Sequence, residues 1–339
     1  MNFPDKRKTW LLAALFVLIN GIVFYNALFH NPRTGYDADA HIMYMGTLSG
    51  GQLPSREQTY EYFSPPLPYI IPALSFRHFS RYPVLRTEAE LSVKFAQLSQ
   101  WLLSIGVTLL LLRFCERLRP KNVNFKLAAL AFLGVLPVYY KTFAFMRGEP
   151  WVLFFGLLAA YEFLAFLQEY RQQPRLYGRA LRIGLWLGLA IMSRQWAIFL
   201  VTAVAVVILR EIWVYARAKA EQGNAPSLLE RVHLPFWGAV ALMALVTMLV
   251  GGWFFVHLYL TTGRFTAFNE TAQAQFSLAN QPASFYTDLA LDKLFSDPVR
   301  PALPNKFWPQ FYAEMWGDYF AYFLVSGWDS HAEEYVFDG

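Results

Sequence analysis

One cysteine, Cys115, stands in the whole chain. That count excludes an intrachain disulfide and a cysteine-built metal site, and the run around Cys115 reads as a cytoplasmic loop. Charge is also scarce. Asp, Glu, Lys and Arg make up 16% of the residues, where a soluble domain carries about 25%. No internal repeat is evident, and ionisable groups crowd at one surface. A transporter would instead place them near the bilayer midplane and often show two similar halves. The formal charge of +5 sits between apolar runs and not along one face, so it belongs to basic cytoplasmic loops and not to nucleic-acid binding.

What the chain has in plenty is apolar sequence, 56% of all residues, gathered in runs of about 20 that can each cross a hydrocarbon core about 30 Å thick. The expectation is an all-α, polytopic transmembrane bundle of about seven segments. Lys6, Arg7 and Lys8 precede the run 10–29 and hold the N-terminus inside. No small-x-small cleavage site follows, so the run reads as an uncleaved anchor that delivers Asn31 onward to the outer face. Residues 30–90 then form a long external loop. Within it 65–76 is apolar, but it is short and interrupted by Pro65, Pro66, Pro68 and Pro72. It is expected as an interfacial helix or turn over the mouth of the bundle.

The next spans fall at 92–112, 126–145 and 151–167, with the polar turn Arg147-Gly148-Glu149-Pro150 between the last two. Glu162 in the fourth span costs about 2.5–3.5 kcal/mol at the bilayer centre, whereas its Val, Leu and Phe neighbours contribute roughly 3–6 kcal/mol in favour. Insertion wins, with Glu162 expected to face protein or the inner surface. The apolar stretch 183–209 is flanked by Arg171, Arg175, Arg179 and Arg182 on one side and by Arg210, Arg217, Lys219 and Arg231 on the other. Two cytoplasmic flanks require an even number of crossings, so two half-length helices are expected to turn near Ser193-Arg194-Gln195; the alternative, a single crossing, would put four basic residues outside and an acidic C-terminal tail inside, which positive-inside bias disfavours. The span 234–260 closes the bundle. Residues 261–339 hold ten acids and four bases, which suits an external segment.

The polar stretch from Tyr36 to Ile71 concentrates the chemistry. Asp37 and Asp39 alternate with alanines, and in a helix Asp37 and His41 share a face. One reading is a solvated loop whose Asp caps a helix over 40–48. The other has one Asp as general base toward an acceptor, with the second Asp and His41 either positioning that acceptor or holding a divalent metal. Arg147 and Arg194 fit arginines near helix ends with their stems in lipid. They equally suit bidentate, permanently charged donors to a lipid-linked phosphate, with Glu149 on the same face. Asn269-Glu270-Thr271 matches the glycosylation acceptor pattern, a match that in a loop is usually accidental.

Tyr36-Asp37 with His41 and Tyr44, followed by Tyr60-Glu61-Tyr62-Phe63-Ser64-Pro65-Pro66-Leu67-Pro68-Tyr69, resembles the first external loop of GT-C fold membrane glycosyltransferases. The branch is that of protein O-mannosyltransferase-like, aminoarabinose-transferase-like and related bacterial enzymes. The Arg147/Glu149 turn, the helix from Gly184 to Gly188 ending at Ser193-Arg194, and Phe307-Trp308 with Trp316-Gly317-Asp318-Tyr319 are similar to later landmarks.

The resemblance implies a polyprenyl-phosphate sugar donor, a lipid, glycan or protein acceptor, inversion at the sugar carbon, and a bacterial plasma-membrane location. Asp37 matches the catalytic Asp. Ala38 stands where a second acid often follows, leaving Asp39 to take that role or the second carboxylate missing. His41, Tyr62, Arg147, Glu149 and Arg194 become substrate-binding positions. Members of that family usually carry further spans after the second external region, so the chain is expected to be a fragment, a split subunit or an inactive remnant. The rival classes are a membrane transporter and a non-catalytic lipid-binding or scaffold subunit.

Overall fold

The computed structural model describes residues 6–81, 88–169, 176–221, 234–266, 281–296 and 303–316. Among them every regular element is helical. In chain order these are α1 (Lys6–Phe29), α2 (Ala38–Ser49), α3 (Leu67–Phe79), α4 (Glu88–Leu118), α5 (Val123–Gly134), α6 (Pro137–Ala144) and α7 (Glu149–Glu169). They continue with α8 (Leu176–Ile191), α9 (Ile198–Glu221), α10 (Leu234–Thr247), α11 (Trp253–Thr262), α12 (Ala283–Thr287), α13 (Leu291–Leu294) and α14 (Phe307–Trp316). A 3-10 turn at Tyr60–Phe63 separates α2 from α3, and a π-helical turn at Met248–Gly252 joins α10 to α11.

Among the described residues five helices are long and apolar enough to cross a membrane: Lys6–Phe29, Ala89–Leu118, Glu149–Glu169, Gln195–Val214 and Phe236–Thr262. A sixth crossing is made if α5 and α6, bent by 62°, count as one broken span. The expected seventh is α8. It has 16 residues, and at 1.5 Å per residue it rises only about 24 Å. Outward faces agree with a lipid surrounding: Leu11, Val17 and Leu18 on α1, and Phe199, Val206 and Leu209 on α9, are exposed. Apolar surface that broad is a liability in water and the natural contact for acyl chains.

The chain divides into two compact units. The first holds residues 1–62, 69–150 and 268–339; the second holds 63–68 and 151–267. The Asn269 triplet and the segment 317–339 lie outside the described residues.

In the first unit α1 packs on α4, α5 and α6. Buried polar residues hold these helices in register. Asn20 donates from Nδ2 to Thr108 Oγ1 (3.1 Å) and accepts at Oδ1 from Ser104 Oγ (2.9 Å), and Ser104 Oγ also meets the Tyr139 hydroxyl at 2.7 Å. The carbonyls that end α1, Ala27 and His30, accept from the Lys94 ammonium of α4, which supplies the cation that α1 lacks in its own last turn. Cys115, expected in a loop, is buried in α4 because that helix runs on through the basic cluster to Leu118.

Between α6 and α7 the chain leaves the helix over residues 145–148. Gln100 of α4 satisfies the stretch from both ends of its amide: Nε2 donates to the Phe143 and Phe145 carbonyls (3.1 and 2.5 Å), and Oε1 accepts from the Arg147 N–H (3.1 Å). Gln97 adds a bond to the Ala144 carbonyl at 2.7 Å. Non-helical backbone at membrane depth is tolerated only with such partners.

In the second unit α8 packs tightly on α10. A Cβ on Gly184 would stand 2.6 Å from the Met243 carbonyl oxygen, and one on Gly188 would stand 2.6 Å from Val250 Cβ. The crossing therefore requires small residues one turn apart. Glu162 does face protein, taking Arg179 at 2.9 Å and Arg182 at 3.1 Å from α8. The turn expected near Ser193-Arg194-Gln195 is present, but the helices on either side, of 16 and 24 residues, are not half-length.

Two substitutions test this packing. Gln100→Leu strands three backbone groups, each worth about 1–3 kcal/mol when buried and unsatisfied. It is expected to lower the thermal unfolding midpoint in detergent by several degrees, whereas lipid-facing Leu102→Ala leaves it nearly unchanged. Gly188→Leu is expected to cost at least about 1–3 kcal/mol by overpacking. Gly21→Ala, where nothing lies within 4 Å of the added carbon, should cost nothing.

Candidate functional site

The first unit brings Tyr36, Lys141, Arg147, Glu149 and Glu314 into a shared setting. Its entrance is Gly35. With φ at 150° and a Cβ position only 2.8 Å from the Phe145 ring, this residue lets the loop lie directly against the irregular stretch after α6. Tyr36 follows, and its ring edge meets Phe145 at 6.0 Å. Two cations flank the same ring: Arg147 Cζ at 5.6 Å from its centroid and Lys141 Nζ at 5.9 Å. Each cation faces a carboxylate, Arg147 Nε with Glu149 Oε2 at 2.7 Å and Lys141 Nζ with Glu314 Oε2 at 2.6 Å.

Asp37 is the next residue, and its backbone is unusual. It occupies the N-cap position of α2 at φ 56°, ψ 27°, the left-handed region. N-cap residues normally take extended angles and accept an N–H from their own helix. Here the side chain makes no cap bond, is exposed, and accepts the Tyr60 hydroxyl at 2.8 Å. A non-glycine residue in this region carries roughly 1–3 kcal/mol of strain, less for Asp than for bulkier side chains. The helix over 40–48 expected from the sequence is therefore present, from Ala38 to Ser49; its N-cap position falls to Asp37, whose side chain makes no cap bond.

Asp39 and His41 part company. Asp39 is exposed in the first turn of α2, where a carboxylate favours the helix dipole. His41 is buried, with Nδ1 2.7 Å from the Tyr69 hydroxyl and 3.9 Å from Glu61 Oε2. The Tyr69 ring stacks on Tyr44 at 4.0 Å, and Thr59 Oγ1 donates to the Ala40 carbonyl. This is a polar core that locks α2 to α3 and to the 3-10 turn. A divalent ion on Asp39 and His41 does not fit, since two positions apart on a helix they point in different directions. Among the described residues no three His, Cys, Asp or Glu side chains gather to hold a metal.

Tyr62 is buried in the 3-10 turn. Arg194 lies in the second unit, 9% exposed, with Nη1 donating to Ser64 Oγ at 2.7 Å. Gln195 Nε2 donates to the Phe63 carbonyl (2.6 Å) and the Leu67 N–H to the Met192 carbonyl (3.1 Å), so the Ser64-Pro65-Pro66 element is fastened to the turn after α8. Sequence reasoning passed over Lys141, although an ionisable residue inside an apolar run was a usable signal. It also passed over Gln100, for which no local pattern exists.

Tyr44 gives the polar core a pH signature. Burial, and then the nearby Glu61 carboxylate, push its phenol above the ordinary value. An unfolded tyrosine loses its proton near pH ~10. The folded state holds it longer, so this contribution is complete below about 10 and is lost as pH rises from there toward the native value. Unfolding midpoints measured from pH 9 to 11 should fall more steeply for the wild type than for Tyr44→Phe.

Comparison with protein-family models, with curated proteins and with solved structures returned no match to this chain.

Proposed function

We propose that the chain is an integral-membrane glycosyltransferase of GT-C type that moves a sugar from a polyprenyl-phosphate donor to a lipid, glycan or protein acceptor. In this reading the N-terminus is cytoplasmic, the reaction runs on the external face of a bacterial plasma membrane, and the sugar carbon is inverted. The observation that carries it is Asp37: a carboxylate turned out of its own helix at a strained φ, steadied by Tyr60, one residue from an aromatic ring flanked by two cations. Strain kept where it does not serve the fold is a mark of functional positions.

The roles follow from the chemistry. Asp37 takes the proton from the acceptor hydroxyl or amine as that atom attacks the anomeric carbon from the face opposite the phosphate. The bond from that carbon to the phosphate oxygen breaks, its electron pair leaves on the phosphate, and negative charge grows there in the transition state. Arg147 is placed to meet that charge, which is where fixed donors lower a barrier most. Glu149, paired with Arg147 Nε, fixes the orientation of the guanidinium. Tyr60 keeps the Asp37 lone pairs aimed outward. The resemblance in the first external loop supplies the donor class, and the exposed apolar helix faces are compatible with a lipid-linked substrate arriving from the side.

A positioned general base contributes about 10²–10⁴-fold. With purified full-length protein and a panel of polyprenyl-phosphate hexoses and pentoses, Asp37→Asn is expected to slow donor-dependent transfer at least 100-fold while the unfolding midpoint is kept. Transfer at the wild-type rate by that variant would sink the assignment. So would the absence of transfer by the wild type across the panel in the presence of membrane-extract acceptors.

A further inference from the structure

Lys141 is the most deeply buried charged side chain at the site, 2% exposed on α6, and its partner comes from far along the chain. Glu314 lies on α14, which packs on α6, and one oxygen of its carboxylate meets Lys141 at 2.6 Å. The other oxygen, Oε1, is buried with no hydrogen-bond partner. An ion pair whose carboxylate is 29% exposed and left half satisfied in this way is weak evidence for stability, because solvent screens one member and the buried oxygen is only partly repaid for its desolvation. Its sense has to be sought elsewhere.

The geometry around Tyr36 supplies one. Lys141 and Arg147 approach the same ring, so one anion beside that ring can be shared between them. Glu314 meets Lys141 with a single oxygen, and Glu149 meets Arg147 separately. The phosphodiester of a lipid-linked sugar offers two terminal oxygens and one negative charge, and the monoester left after transfer offers three oxygens and up to two charges, enough in either case to engage an ammonium and a guanidinium together. Of these two carboxylates, Glu149 begins the long helix α7. Glu314 rides on a helix of 10 residues that packs on α6, on the short α12 and, through Ala313, on Leu294 and Leu303. Glu314 is thus the easier of the two to displace.

We propose that Lys141 is a second phosphate-binding cation of the site and that Glu314 is an internal stand-in for that phosphate. Helix α14 sits on α6 as a latch that an incoming phosphate exchanges for itself. This rests on the functional reading above for the location of the phosphate. It adds a binding residue that the first external loop does not contain, and a means by which substrate entry moves the C-terminal part of the first unit. Phosphate binding releases the Glu314 carboxylate to solvent, and α14 loses its ionic contact with α6.

The test reads binding without chemistry, using a sugar-free probe. Full-length protein in neutral detergent is titrated with a C15 isoprenoid monophosphate and, separately, with inorganic phosphate at matched ionic strength. Glu314→Gln, which removes the Glu314 negative charge that competes for the ammonium, is expected to tighten binding of the isoprenoid phosphate roughly 3- to 10-fold. Lys141→Met is expected to weaken it at least 10-fold. The double variant, which removes both members of the pair and so guards against a folding defect, should bind like Lys141→Met while keeping the wild-type unfolding midpoint. If inorganic phosphate follows the same order, the phosphate alone is recognised. If only the isoprenoid probe binds, the lipid chain is part of the ligand, and the latch stands in either case.

Wild-type affinity in Lys141→Met, weaker binding in Glu314→Gln, or no binding of either probe by Glu314→Gln protein would overturn the proposal. Lys141-dependent binding in a protein that transfers no sugar would reject the glycosyltransferase reading and keep the latch. Transfer with Lys141-independent binding would do the reverse.

Discussion

Hydrocarbon offers no hydrogen bonds, and that constraint governs what the first unit can do. A helix is safe in lipid because its backbone is self-sufficient, so a non-helical turn near the membrane needs its N–H and C=O groups met by side chains. Gln100 and Gln97 of α4 do this for residues 143–147. Arg147 can stand outside a helix because Gln100 takes its N–H, and Tyr36 can lie against Phe145 because the strand of chain that carries Phe145 is held still. The Asn20, Ser104, Thr108 and Tyr139 network serves α1, α4 and α6 in the same way, fixing the helix that carries Lys141.

The residues around Asp37 are held by a second polar cluster that resembles a soluble core more than a membrane one. His41, Glu61, Tyr44, Tyr69 and Thr59 join α2, the 3-10 turn and α3, and the apolar cluster of Met45, Ala73, Val93, Ala96 and Met146 seats that assembly on α4. Ile70, Ile71 and Leu74 remain exposed on the other side of α3. A helix with one face packed on protein and an apolar face turned outward suits the boundary between headgroups and acyl chains.

Much of the helical plan was legible because lipid imposes a length and a composition that sequence displays directly. The runs at 10–29, 92–112, 151–167 and 234–260 are all found within observed helices. The break inside 126–145 was missed, although Gly134 and Pro137 mark it, because hydropathy continues across the bend. Within the loop of residues 30–90 the helices expected over 40–48 and 65–76 are present as α2 and α3. At the site, Asp37 and Arg147 could be named from local pattern. The strain at Asp37, the separation of Asp39 from His41, and the pairing of Lys141 with Glu314 across 173 positions could not, because each depends on what folds against the residue.

The lone cysteine acquires a practical meaning from where it lies. Cys115 is buried within α4, a span whose other faces meet lipid or protein, so its thiol is shielded from water-borne reagents. The natural protein is in effect a cysteine-light background. A single thiol introduced at an exposed loop position would be the one group in the chain to take up a membrane-impermeant maleimide. Labelling in intact cells would then report directly which side of the bilayer each loop occupies.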